Sequence, residues 1–536
     1  MPSVEIEKEQ LYMLIGERIK EDKLAELLGS LGVELESSSN KEFVIEVFPN
    51  RPDFLSAYGI ARGIRYLIGK DKVKGYRVAD DAGYKVIVDK SVENVRPYTA
   101  CCIAKGLRLD DAKIRELIRI QEKLHITFGR KRKKMAIGIY PLEHIKLPIH
   151  FKADNPQKIR FRPLESSEEM NAKELLEKHP TGREYGHLLK GKKKFPYFVD
   201  ADGNVLSVPP IVNSHDTGKI DENTKEVFIE CSGFDFDYLK KGLNIIACCL
   251  LDMGAEVFPM RLEYPDFQAI TPDFKEEEME LDAKYVSRII GIDLDAKGIK
   301  ESLARMGIRY EKGKAYVPPY RADILHPVDL VEDVAIGYGY DNIPANMPSI
   351  YTKGEEDKEI AFQNKIREIL IGAGFIELKN FSLVSKEDAK RFGFEALEIL
   401  NPSNQDYNVL RPSLIPCLMN VFRNNKSREF PQKVFEIGKV FPSEEARLCV
   451  GISSKDADFT RIKQVLQLIE EQLDVKFRLE DAEIDYFIPG RAGKVFSGRK
   501  EIGLIGELHP SLIKDYELEM PVVLFEVVVE HLFPNF

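Results

Sequence analysis

The constraint that bears hardest on this chain is that its 536 residues contain no internal repeat of about 20 to 50 residues. Without stacked repeats it cannot extend as a solenoid or close as a propeller, so its apolar residues must be buried in separate cores. At about 100 to 200 residues per domain, three or four such cores are expected. Hydrophobic residues make up 43% of the chain and charged residues 31%. That balance belongs to folded globular protein and excludes a wholly disordered, collagen-like or coiled-coil chain.

The richest apolar stretch, Leu243 to Leu251, is interrupted by Asn244 and falls far short of the roughly 18 to 20 residues that cross a bilayer, so no membrane segment is expected. Near the start, Glu5, Glu7 and Glu9 stand where a secretory signal needs basic and then apolar residues. The seven cysteines have no CxxC spacing, which fits neither a disulfide framework nor a zinc site. A reducing, cytoplasmic location is expected. Against 78 basic residues stand 88 acidic ones, a net charge of −10, so contact with nucleic acid has to be a local patch or lie on a partner.

The fold class expected is α+β and multidomain. Residues 1–88 read as a small α+β domain, in which Asp53 is placed to cap a helix. Its apolar residues Phe54, Tyr58, Ala61, Ile64, Leu67 and Ile68 recur at helical spacing until Gly69. Residues 89–265 mix short strands and helices, with a hairpin predicted at Asp202-Gly203 and basic runs at Arg130 to Lys134 and Lys190 to Lys194. An acidic stretch, Asp273 to Asp282, marks the passage into residues 266–348. There Asp295 heads a helix carrying Ile299, Leu303 and Met306, and a second helix begins around Pro327. Residues 349–536 open with an amphipathic helix carrying Phe362, Ile366, Ile369 and Leu370. They close with strands such as KVFEIGKVF and VVLFEVVV, which predict a mainly antiparallel sheet.

The sharpest local signal is RADILHPVDLVEDV, Arg321 to Val334. On a helix, Asp329, Glu332 and Asp333 share one face, with Asp323 in the approach segment. A hard divalent cation such as Mg²⁺ would offset their repulsion. Alternatively, acidic residues in a first turn complement the helix dipole and need no metal. His187, Ser207, Asn213, Glu230 and Ser232 punctuate strand-like runs, as polar groups do in small-molecule pockets, or they are satisfied residues at sheet ends. No GxSxG elbow, GxxxxGK[ST] loop, GxGxxG turn or HExxH pair is present, so covalent hydrolase, nucleotide-cradle and zinc chemistries lack support. The basic runs could neutralise phosphates, be solvated loops or, for the first, be a nuclear localisation signal.

PNRPDFLSAYGIARG, QEKLH, VLSVPPIVNS, FIECSG, RADILHPVDLVEDVAIGYGYDNIP, NPSNQDYNVLRPSLIPCL, KVFEIGKVF and FIPGRAGKVFSGRKEIGLIGELHP follow one another along the chain. On these stretches it resembles the β subunit of phenylalanyl-tRNA synthetases of the archaeal and eukaryotic cytosolic type, over nearly its whole length. The resemblance implies an editing domain (B3/B4-like) at 89–265 and a small helical, DNA-binding-like (B5-like) module at 266–348. It also implies a class II synthetase catalytic-like domain without catalysis at 349–536. Implied partners are an α subunit, in a tetramer of two α and two β, and tRNA(Phe). ATP would be used at the α subunit, and Mg²⁺ shared with it would be held by Asp323, Asp329, Glu332 and Asp333.

The same resemblance implies hydrolysis of tyrosine from mischarged tRNA(Phe). Glu230 would read the tyrosine hydroxyl, Ser207 and Phe198 would line the pocket with Asn213 binding substrate, and Ser232 would orient a water. Ser232 stands where the family usually has threonine, and His187 would lie nearby. Arg411 and Arg491 sit in neither an FRxE nor a GxGxGxR setting, so no ATP chemistry is expected in residues 350–536. The alternative function is a structural and tRNA-docking subunit whose editing pocket is silent.

Overall fold

In the computed structural model, which describes residues 2–532, strand Glu42–Val47 lies between Ser3–Glu7 and Val33–Ser38, antiparallel to both. Its alternate residues Phe43, Ile45 and Val47 turn inward, as a half-buried strand requires. The predicted helix forms over Ala57–Leu67, but its cap is Ser56, whose hydroxyl accepts from the Gly59 N–H. Asp53 does not cap it. This carboxylate is buried and takes both bonds of a fork from Arg51, at 2.8 and 2.9 Å. A desolvated charge needs a cation more than a helix end needs a cap.

The largest sheet has ten strands. Nine run in the order Val212–Asn213, Val205–Val208, Phe195–Val199, Ile149–Asp154, Lys85–Val88, Glu256–Glu263, Tyr98–Lys105, Val227–Gly233, Met135–Pro141, and Gln268–Thr271 pairs with Glu256–Glu263. The predicted hairpin is present: Phe195–Val199 and Val205–Val208 pair antiparallel, and Gly203 has φ 91° in the loop between them. The expected borders at 88 and 265 both cut this sheet. Lys85–Val88 lies inside it, parallel to both neighbours, and Gln268–Thr271 extends it. Short apolar strands carry no mark of which sheet they will join. Helix Phe236–Asp252 buries Leu239, Leu243, Ile246 and Leu250 in the shared core. The two end strands of the sheet meet again: the Tyr140 hydroxyl lies 3.3 Å from Asn213 Oδ1. The sheet therefore curls around the cavity described below.

Part of the acidic stretch is itself a strand. Glu277–Glu280 pairs with Lys314–Val317, which pairs in turn with Arg309–Glu311, and Lys314 sits 3.1 Å from Glu278. Helices Ala283–Ile290, Ala296–Arg305 and Pro327–Tyr338 complete this module, so it is not purely helical. Asp295 caps the second helix through the Gly298 N–H, and Pro327 opens the third, as predicted. The last two helices touch backbone to backbone at Gly337, where an added Cβ would lie 2.0 Å from the Ser302 carbonyl oxygen. Gly337→Ala is expected to force them apart at about 1 to 3 kcal/mol, read as a lower unfolding midpoint of the full chain.

Everything up to Met347 forms one compact unit, and a second begins at Pro348. In the second, helix Lys358–Gly372 buries Phe362, Ile366 and Leu370. Its seven-stranded sheet runs Ile376–Glu377, Gln432–Lys439, Ala446–Ser453, Val522–Val528, Lys500–Leu508, Phe487–Ser497, Phe477–Asp481. Only the first pair is parallel. Among the described residues, no helix is long and apolar enough to cross a membrane.

Candidate functional site

Strand Val227–Gly233 runs antiparallel between Tyr98–Lys105 and Met135–Pro141, and all seven of its residues are buried. That placement takes Glu230 out of water, and among the described residues it has no salt-bridge partner. One carboxyl oxygen, Oε1, lies 3.3 Å from the Tyr140 hydroxyl, and Oε2 has no hydrogen-bond partner among the described residues. Burial pushes the acid up to about 8, opposed by the nearby Arg96 charge and by the Tyr140 and Ser232 hydroxyls. Arg96 is itself pushed down to about 10 by burial.

Glu230 lines a cavity of about 300 Å³ together with Ser207, Asn213, His125 and Arg132. Ser207 is 1% exposed, and its hydroxyl, like Glu230 Oε2, is buried without a partner. Two orphaned polar atoms in one small cavity are unusual, because buried polar groups are nearly always paired.

On another wall, His125 and Arg132 both hold Glu122, at 3.1 and 3.0 Å. Burial alone would raise Glu122, but these two partners bring it down to about 2. Arg132 also donates to the Ile211 carbonyl at 2.7 Å and lies 4.3 Å from the Tyr185 ring centre. Arg130, Lys131 and Arg132 all have positive φ, of 49°, 52° and 63°. Three successive non-glycine residues in the left-handed region hold real backbone strain. Of the run expected to be a phosphate patch or a solvated loop, Arg130, Lys131, Lys133 and Lys134 are exposed, and the turn delivers Arg132 to the cavity wall.

Of the expected editing residues, Glu230, Ser207 and Asn213 come together and three others do not. His187 is exposed at the end of a short turn, with Nδ1 2.9 Å from the Glu184 carbonyl, and does not line the cavity. Phe198 is core: it is fully buried and stacks on Phe151 at 4.3 Å. Ser232 is two residues from Glu230 on the same face of its strand; its hydroxyl accepts from Arg96 at 3.1 Å and its carbonyl accepts from the same guanidinium. Ser232 does not line the cavity. Sequence reasoning missed Arg96, Glu122, His125, Arg132 and Tyr140. QEKLH and the basic run beside it were the available signal for three of them.

The carboxylates of the acidic helix find most of their partners within the chain. Asp323 accepts a fork from Arg321 at 2.8 and 2.7 Å, and Asp333 accepts from the same guanidinium at 2.9 Å. Burial works to raise Asp323, but Arg321 overrides it and holds it below its usual range; Asp333 is raised by burial. Asp329 caps the helix, accepting from the Leu325 and His326 N–H groups at 2.8 Å, and Glu332 points to solvent. Among the described residues, no group of three or more His, Cys, Asp or Glu is placed to hold a metal ion. Within this chain Asp323 and Asp333 are engaged by Arg321 and Asp329 by backbone N–H groups, so Glu332 is the carboxylate of the four that faces solvent. A buried arginine supplies positive charge to two of the four. In the second unit Arg411 is spent on Glu436 at 2.7 Å and Arg491 on Glu507 at 2.7 Å.

Residues 343–529 match the family described as phenylalanyl tRNA synthetase beta chain CLM domain, and residues 279–340 match the tRNA synthetase B5 domain. The first unit is similar to a crystal structure of an N-terminal fragment of the phenylalanyl-tRNA synthetase β subunit from Pyrococcus horikoshii. The TM-score is 0.61 and the identity 38%, covering 63% of this chain and all of that one. A chain that joins these two matched domains to the curled-sheet unit is a subunit of an aminoacyl-tRNA synthetase. Over its length it is 36% identical to the phenylalanine–tRNA ligase β subunit of Thermococcus sibiricus, covering 98% of both chains. It is 37% identical to that of Archaeoglobus fulgidus, again covering 98% of both. The chain belongs to the phenylalanine–tRNA ligase β-subunit family.

Proposed function

We propose that this chain serves a phenylalanine–tRNA ligase as the subunit that removes tyrosine from mischarged tRNA(Phe) and completes the assembly around a catalytic α companion. The observation that carries the editing reading is the pair of buried, unpartnered atoms, Glu230 Oε2 and Ser207 Oγ, in one cavity. A phenol hydroxyl can donate to the first and accept from the second. Phenylalanine can do neither, and would leave both groups desolvated and unpaired. The need for such a site is chemical, because an apolar synthetic pocket rejects an added hydroxyl by only about 10²-fold.

In the hydrolysis, water adds to the ester carbonyl and the bond to the terminal ribose oxygen breaks, releasing tyrosine and a free tRNA hydroxyl. No nucleophilic side chain is required. The curled sheet is then the editing domain, and residues 277–340 are a B5-like module braced by Arg321. The second unit is a synthetase-like scaffold without chemistry of its own. ATP and Mg²⁺ are used at the α subunit, in a cytoplasmic tetramer of two α and two β chains. Seven unpaired, buried cysteines are compatible with that reducing compartment.

The test is deacylation of preformed tyrosyl- and phenylalanyl-tRNA(Phe) by the enzyme reconstituted with its α subunit. The tyrosyl ester is expected to be cleared faster; equal rates would contradict the reading.

A further inference from the structure

We propose that Tyr140 is a specificity-determining positioning residue of this cavity: admitted by the bare Cα of Gly138, its hydroxyl binds one oxygen of Glu230 and turns the other toward the ligand. This deepens, and rests on, the editing reading.

Gly138 and Tyr140 are two apart on strand Met135–Pro141 and so share a face. In the register, Gly138 lies directly opposite Glu230. A Cβ on Gly138 would sit 2.1 Å from the Tyr140 hydroxyl oxygen and 2.5 Å from the ring carbon that bears it. The phenol therefore lies back across the glycine, and that position brings it to the carboxyl. Phe228 backs the ring at 5.7 Å between centres.

The hydroxyl is 3.3 Å from both Glu230 Oε1 and Asn213 Oδ1. It carries one proton, so it serves both partners only in turn. With Glu230 protonated, the acid donates to Tyr140 and Tyr140 donates to Asn213. With Glu230 ionised, Tyr140 donates to Oε1. In both states Oε1 is engaged and Oε2 remains for a substrate hydroxyl. The other groups that act on the carboxyl are Arg96, ahead of strand Tyr98–Lys105, and Ser232 on its own strand; the carboxyl in turn helps to raise the neighbouring thiols Cys101 and Cys231. Burial pushes the Tyr140 phenol well above its ordinary value, so it keeps its proton throughout. Without Tyr140, the carboxyl has two free oxygens and nothing fixing which one faces the ligand.

The test uses full-length Tyr140→Phe and Gly138→Ala chains reconstituted with the α subunit, with kcat/KM measured for tyrosyl- and phenylalanyl-tRNA(Phe) hydrolysis. Tyr140→Phe is expected to lower the ratio of tyrosyl to phenylalanyl hydrolysis by roughly tenfold. Because Glu230 loses a donor, the pH dependence of tyrosyl hydrolysis moves upward. Gly138→Ala is expected to do the same by displacing the phenol. A merely structural role would slow both esters in proportion. A wild-type preference for the tyrosyl ester that survives Tyr140→Phe, or a proportional loss on both esters, overturns the inference. A wild-type enzyme with no tyrosyl preference refutes the editing reading, and the inference with it.

Discussion

Replacing Glu230 with alanine is expected to slow hydrolysis of tyrosyl-tRNA(Phe) at neutral pH by roughly 10-fold, the worth of one hydrogen bond to a neutral buried acceptor. Folding should not suffer, because among the described residues the carboxyl has no salt bridge and one of its oxygens has no partner. The variant has a second signature. In the folded chain Glu230 holds its proton up to about 8, against an ordinary value of 4.5. Between those values the folded state binds a proton that the unfolded state has released, so stability falls as pH rises through that window. Glu230→Ala should remove this part of the slope while abolishing tyrosyl discrimination. Undiminished deacylation together with an unchanged slope would show that the acid neither reads the hydroxyl nor titrates as its burial requires.

The largest stability effect is expected at Arg411. This side chain is 2% exposed; it binds Glu436 at 2.7 Å and the Lys439 carbonyl at 2.9 Å. Arg411→Ala leaves a fully buried Glu436 with Asn380 as its remaining side-chain donor, at 2.6 Å. Removing one member of such a pair costs about 3 to 5 kcal/mol, whereas replacing both with apolar residues of similar volume costs far less. Unfolding of the full chain, followed for Arg411→Ala and for the paired Arg411→Leu with Glu436→Leu, measures both. A loss below about 1 kcal/mol in the single variant would place the pair in the weakly coupled surface class.

Elements were legible where one periodicity governs a segment. The Ala57–Leu67 helix, the hairpin at Asp202-Gly203, the Asp295 cap and the Pro327 start all follow from local rules. Domain edges were not, because Lys85–Val88 and Gln268–Thr271 are ordinary apolar strands until distant strands pair with them. At the site, the polar punctuation of strand-like runs and the family resemblance led to Glu230, Ser207 and Asn213. The same route misplaced His187 and Phe198, whose exposure and burial depend on tertiary packing. The acidic helix was legible in part. Spacing revealed the repelling carboxylates, but the neutralising charge, Arg321, lies outside the helix and reaches back to it. Arg132 escaped because a run of basic residues normally means solvent, and here three successive left-handed residues turn one of them inward.

The most direct measurement is phenylalanine charging of tRNA(Phe) by purified subunits, each omitted in turn. Charging is expected only when this chain and its α companion are both present, with the chemistry on the companion. Phenylalanyl-tRNA made by this chain alone would contradict that division of labour.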